Sequence, residues 1–474
     1  MSTPPTVSDT PADAPVSGEY EHQPVPPAAR KGSASFWGMY AGEHTAGTEF
    51  LIGPLFLLAW GVGGWSLLAG LLAGNLMAVL TWRFVTAPIA TRARLTLYAQ
   101  LERICGRKFV TLYNLMNGLL FCFLAGSMIT VSASAFGPLL PGVAMPTFAS
   151  TLPTGFGWCA IVIVIGAAIT YVAAKGYDLV SRIGNLAAPW MFLVFLACGL
   201  VVLAKMGAPG VIEALTPVRH DLDVGGFWAV FFFAWLCNAA MHLGMADLSI
   251  LRFARDERAG WAPAAGMYLG HFVAWLCAAL MLAYWVKRMG GDVEAAKAVS
   301  LGDMVNDAAG ITGLICVVIA GWTTANPTLY RAGLAFQAMV PALSRTQATL
   351  LAGAVCTGAG LFPAFAMRLL DFVGIYGTIL APVGAILFVD FWLARRFGIV
   401  REWASRHQGG FNFAALLAWV LPLLVGAWAY VTFPLIKAVP SYLVVPCWIA
   451  AGACYLCLAR LLPVPRENSH PASA

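Results

Sequence analysis

Twelve stretches of this chain run for about twenty or more mostly apolar residues: 36–60, 65–86, 110–137, 155–174, 185–206, 225–247, 263–286, 310–336, 346–366, 369–394, 411–433 and 441–462. A helix of roughly 20 residues crosses a bilayer's hydrocarbon, and lipid offers the backbone no other hydrogen-bond partner. The pattern therefore dictates an all-α polytopic membrane protein, and we number the stretches spans 1 to 12. Composition agrees: 60% of the 474 residues are hydrophobic and only 11% charged, against about a quarter in soluble domains. With the N-terminus inside, three quarters of the 28 Lys and Arg fall in cytoplasmic segments, as the positive-inside bias requires. Arg331 and Arg252 count among those cytoplasmic residues. The net charge of +6 thus follows from topology and does not call for nucleic acid. Residues 1–35, rich in Pro, Ala, Ser and Thr, read as a disordered cytoplasmic tail. Residues 463–474 read as a second tail. The basic connection 87–108 and the outer segment 287–309 are expected to be structured, the latter capping span 8.

Polarity inside the spans is where function should lie, because each charged residue at a helix centre costs on the order of 3 kcal/mol. Span 1 contains "GEHTAGTEF", residues 42–50, with Glu43, His44 and Glu49. On an unbroken helix Glu43 and Glu49 would sit about 120° apart, and His44 and Glu49 about 140° apart, leaving one group near lipid. A break at Gly42, Gly47 and Gly53-Pro54 removes that conflict and frees carbonyls for a cation. Span 6 holds the matching candidate, with Trp235, Asn238, His242, Gly244 and Asp247. It lies five spans on, as expected if 36–206 and 225–396 are inverted repeats. Span 8 places Thr323 and Thr324 beside Pro327, which leaves the Thr323 carbonyl without its helical donor. No nucleophile–base pair, phosphate loop or zinc motif appears, so an enzyme is not expected.

Four segments resemble the nucleobase–cation symporter family of cytosine, allantoin and hydantoin permeases: "GWTTANPTLYRAGLAF" in span 8, "DFVGIYGTILAPVGAILFVDFWLARR" in span 10, "MADLSILRFAR" closing span 6, and "SRIGNLAAPWMFLVFL" in span 5. The resemblance covers about 36–396 and implies the leucine-transporter fold, with spans 11 and 12 added over 411–462. It implies a secondary active transporter of the inner membrane, both termini cytoplasmic, that couples a cation to uptake of a nucleobase-like heterocycle or a related polar or cationic compound. It also implies a sodium site formed by the hydroxyls of Thr323 and Thr324, the carbonyl of Ala320, and carbonyls near Thr45 and Thr48. Substrate contacts fall by position on Trp235, Asn238, Asn326 and Thr328, with His44 and Glu49 added from the polarity of span 1. No cofactor is expected beyond the coupling ion, Na+ or H+. Proton coupling and a divalent-metal permease using Glu43, His44, Glu49, Met241, His242 and Met245 stay open as alternatives.

Overall fold

Apolar residues that leave the backbone no partner but itself form helices nearly throughout. The computed structural model describes residues 20, 23–175, 177–214, 223–340, 342–407 and 410–461. Among these the chain is helical apart from loops and two isolated bridges, Lys31 to Ala254 and Thr147 to Ser300. Among the described residues, nine helices are long and apolar enough to cross a membrane: Gly64–Ala93, Arg107–Leu139, Phe156–Lys175, Pro189–Gly207, Glu257–Arg288, Leu301–Met339, Leu369–Leu393, Phe413–Thr432 and Pro440–Leu461. They are spans 2, 3, 4, 5, 7, 8, 10, 11 and 12, and the protein is a multi-pass membrane protein. The three remaining expected spans are shorter. Span 9 is the sixteen-residue helix Arg345–Gly360, opened by a capping box in which Ser344 and Gln347 satisfy each other's backbone N–H. Spans 1 and 6 are broken.

Close approach between helices comes from small residues, which are what allow membrane helices to pack without a hydrophobic drive. Helix Glu49–Trp60 lies on span 7, where Gly53 abuts the Trp275 carbonyl. Helix Phe227–Leu236 lies on span 2, where a Cβ on Gly74 would come within 2.7 Å of Ala234. Span 8 turns at Gly310, whose φ of 59° and ψ of −149° suit only glycine. Residues 301–309 before that turn, with the short helix Val293–Ala296, form the structured outer segment.

The basic connection is structured as expected, in helices Ala87–Ala93 and Leu97–Cys105, and Leu97, Leu101 and Cys105 are fully buried. Of the expected N-terminal tail, only residues 20 and 23–35 are described, and these pack. Val25 is buried and bonds the Arg94 carbonyl (3.1 Å), while Lys31 and Arg255 exchange backbone bonds with Phe253 and Lys31 at 2.7 and 2.9 Å. The C-terminal tail 463–474 lies outside the described residues.

Candidate functional site: a polar cavity between two broken helices

Span 1 consists of helix Ala34–His44, a non-helical link, and helix Glu49–Trp60. The link begins at Thr45 (φ −97°, ψ 66°). Gly47 makes it possible, since a Cβ there would stand 2.6 Å from the Gly321 nitrogen of span 8. The break thus places Glu49 at the start of a helix, where the unpaired N–H groups and the helix dipole favour a carboxylate. Span 6 stops at Leu236, passes through Asn238 (φ −105°, ψ 31°), and continues as short turns Ala239–His242 and Leu248–Leu251. Met245 between them takes a positive φ of 66°. Asp247 fastens this irregular segment: it accepts hydrogen bonds from Tyr40 Oη (2.8 Å) and Trp82 Nε1 (2.6 Å).

The two breaks face one cavity of about 60 Å³. Its wall is unusually polar for a bilayer interior. Span 1 supplies Glu43, His44, Thr48 and Glu49; span 6 supplies Asn238; span 7, His271; span 8, Thr324, Thr328 and Arg331; span 10, Tyr376. Glu43 forms a part-buried ion pair with Arg331. Glu49, 4% exposed, accepts from the Trp275 indole N–H, and its other oxygen lies 3.9 Å from His271 Nε2. His271 stacks on Trp275 at 4.2 Å and meets the edge of His44 at 5.1 Å. His44 Nδ1 donates to the Tyr40 carbonyl at 2.8 Å, which assigns its proton to that nitrogen. Among the described residues, three buried polar atoms of the wall have no protein partner: Asn238 Nδ2, His271 Nδ1 and the Tyr376 hydroxyl.

Beside the cavity, the Thr323 and Thr324 hydroxyls converge on one oxygen, the Ala320 carbonyl, at 3.1 and 2.9 Å. Thr328 Oγ1 donates to the Thr324 carbonyl at 2.9 Å. Both hydroxyls keep lone pairs for a small hard cation. Thr48 lines the cavity together with Thr324, and the contact of Gly47 with Gly321 holds the span 1 link against this part of span 8. Thr45 is buried and spends its hydroxyl on the Ala41 carbonyl (2.7 Å), which leaves only its own backbone oxygen for an ion.

The structure thus gathers His44, Glu49, Asn238, Thr328, Thr324 and Thr48, but two of the expected substrate contacts lie elsewhere. Trp235 is outside the cavity wall. The packing of its helix on span 2 aims the indole at Thr81, to which Nε1 donates at 3.0 Å. Asn326 is buried but turned back on its own helix, donating to the Trp322 carbonyl at 3.1 Å. Of the residues counted as cytoplasmic, Arg252 is buried and Arg331 lies within the cavity wall. The sequence reading missed His271 and Tyr376. His271 carried the available signal, an ionisable side chain in an apolar span. Tyr376 gave none, since aromatic residues are common in such helices. Among the described residues, no group of three His, Cys, Asp or Glu is placed to hold a metal ion.

No protein-family model matches the sequence, and no curated protein does. Solved structures do match. The nucleobase-cation-symport-1 family transporter Mhp1, in a closed conformation with bromovinylhydantoin bound, aligns over 96% of this chain and 97% of its own at TM-score 0.65 and 17% identity. Mhp1 in an inward-facing conformation aligns over 92% and 91% at TM-score 0.66 and 17% identity. A Na+-coupled sialic acid symporter, substrate-bound and outward-open, aligns over 92% and 91% at TM-score 0.58 and 12% identity. The chain has the leucine-transporter fold of these proteins.

Proposed function

We propose that this chain is a secondary active transporter of the nucleobase–cation symporter family, which uses a cation gradient to carry a small polar compound across the inner membrane, its termini cytoplasmic. The observation that carries the reading is the meeting of both interrupted helices, spans 1 and 6, at one cavity lined by polar side chains. Discontinuous helices at matching positions of two repeats mark the binding site in this architecture, and here the wall keeps buried polar atoms that only a ligand or water can satisfy. Sodium is the proposed coupling ion, held by the Thr323 and Thr324 hydroxyls, the Ala320 carbonyl, and carbonyls of the 45–48 link. The hydroxyl and carbonyl oxygens are the hard ligands such an ion takes, and one of the similar solved structures is a Na+-coupled symporter. His44, Asn238 and Thr328 are proposed to contact the substrate. Proton coupling is the second reading, favoured by the Glu49–His271 pair in the same wall.

The test is uptake by the purified protein in sealed liposomes, with labelled cytosine, uracil and hydantoin under an imposed inward sodium gradient, an inward proton gradient, or neither. Gradient-driven accumulation with sodium supports the reading. Accumulation with protons alone moves the coupling to Glu49 and His271. Equal slow entry in all three arms overturns transport by symport.

A further inference from the structure

Counting the charges on the cavity wall leaves one without a counterpart. Glu43 and Arg331 neutralise each other in a direct ion pair. Asp247 is outside the wall and held by two donors, Tyr40 and Trp82. Glu49 remains. It lines the cavity, is buried, and among the described residues pairs with no Lys or Arg; its neighbours are the Trp275 indole and, at 3.9 Å, the His271 ring. A buried carboxylate without an opposite charge is expensive, and one indole hydrogen bond with a helix N-terminus offsets only part of that cost. A second observation points to a ligand at the same place. The Tyr376 hydroxyl and His271 Nδ1 belong to side chains that line this cavity, 3% and 2% exposed, and have no hydrogen-bond partner among the described residues.

We infer that the compound recognised in this cavity carries a positively charged nitrogen, and that Glu49 is its counter-charge. The inference rests on the proposed transport reading and narrows its substrate class to small organic cations of the amine, amidine or guanidine kind. The cavity's limited size restricts the bound portion to a few heavy atoms. Asn238, placed at the break of span 6, and Tyr376, on span 10, then serve the neutral part of the ligand, each able to donate and to accept.

Two probes of the same shape and different charge test this directly: methylguanidinium and methylurea. Binding to the detergent-purified protein is followed by intrinsic tryptophan fluorescence and by calorimetry, with and without sodium. Methylguanidinium should bind about tenfold or more tightly than methylurea, the worth of one charge-assisted hydrogen bond. Glu49→Gln, which keeps size and polarity, should reduce the ratio to about one. The wild-type comparison stands even if that variant folds poorly. Equal affinities in the wild type overturn the inference, as they would if a proton on His271 neutralises Glu49 instead. A preference that survives Glu49→Gln also overturns it. Failure of transport itself is read separately: gradient-driven uptake of a neutral heterocycle with no charge preference sinks the cationic class and leaves symport standing. A charge preference without gradient-driven uptake does the reverse.

Discussion

Arg331→Met should be among the most damaging single changes in the protein, and its cost should depend on pH. The substitution keeps the apolar length of the side chain and removes the guanidinium that pairs with Glu43. Both side chains are mostly buried, 18% and 15% exposed, so solvent replaces the partner only in part and the full cost of a buried pair is the upper limit. Breaking a buried pair by removing one member costs about 3–5 kcal/mol. Glu43 has one escape, which is to take up a proton. That costs about 1.4 kcal/mol for every pH unit above the free-glutamate value of about 4.3, hence about 3.7 kcal/mol at pH 7. The two figures agree, so proton uptake caps the penalty near that value. The sign follows from linkage: the folded variant binds the proton more tightly than the unfolded chain, so acid relieves the loss. The penalty should fall to about 2.3 kcal/mol at pH 6. The double variant Glu43→Gln/Arg331→Met buries no charge there and should recover most of the stability, with little pH dependence from this pair. Thermal unfolding of the wild type, both single variants and the double variant, in one detergent between pH 6 and 8, reads all of this as a double-mutant cycle. If Arg331→Met and the double variant unfold together at every pH, the pair is not a buried charge pair and the reasoning fails.

Three further changes probe the site. Thr324→Val keeps the shape and removes one oxygen from the proposed sodium site, so the sodium concentration for half-maximal uptake should rise about tenfold or more; an unchanged sodium dependence would move the ion elsewhere. Gly270→Ala drives a methyl group into the His44 carbonyl and within 3.0 Å of the His44 Cβ, where neither backbone can yield. It should cost about 1–3 kcal/mol, measured as a lowered unfolding temperature, and an unshifted midpoint would show that span 7 slides freely past span 1. Trp235→Phe loses the hydrogen bond to Thr81 and should cost about 1 kcal/mol of stability, with ligand affinity measured by calorimetry unchanged; weakened binding would return Trp235 to the substrate.

By itself the sequence determined where the chain crosses the membrane and where it could not cross as a plain helix. Twelve spans can be read from length and apolarity, and among the described residues nine of them are helices long and apolar enough to cross a membrane. The breaks in spans 1 and 6 were legible because Glu43, His44 and Glu49 around Gly47, and Asn238 near Gly244, could not all face protein on an intact helix. The cost of burying a polar group is local, so a single stretch reveals it. The partners were decided only by the tertiary structure. Glu43 finds Arg331, 288 positions away, and Glu49 finds Trp275, 226 positions away. Trp235 and Asn326 lie on spans 6 and 8 but outside the cavity wall, because packing against neighbouring helices sets the rotation of each helix. Hydropathy prices a charge within the membrane, but it carries no direction around the helix axis, and only packing fixes which group stands opposite.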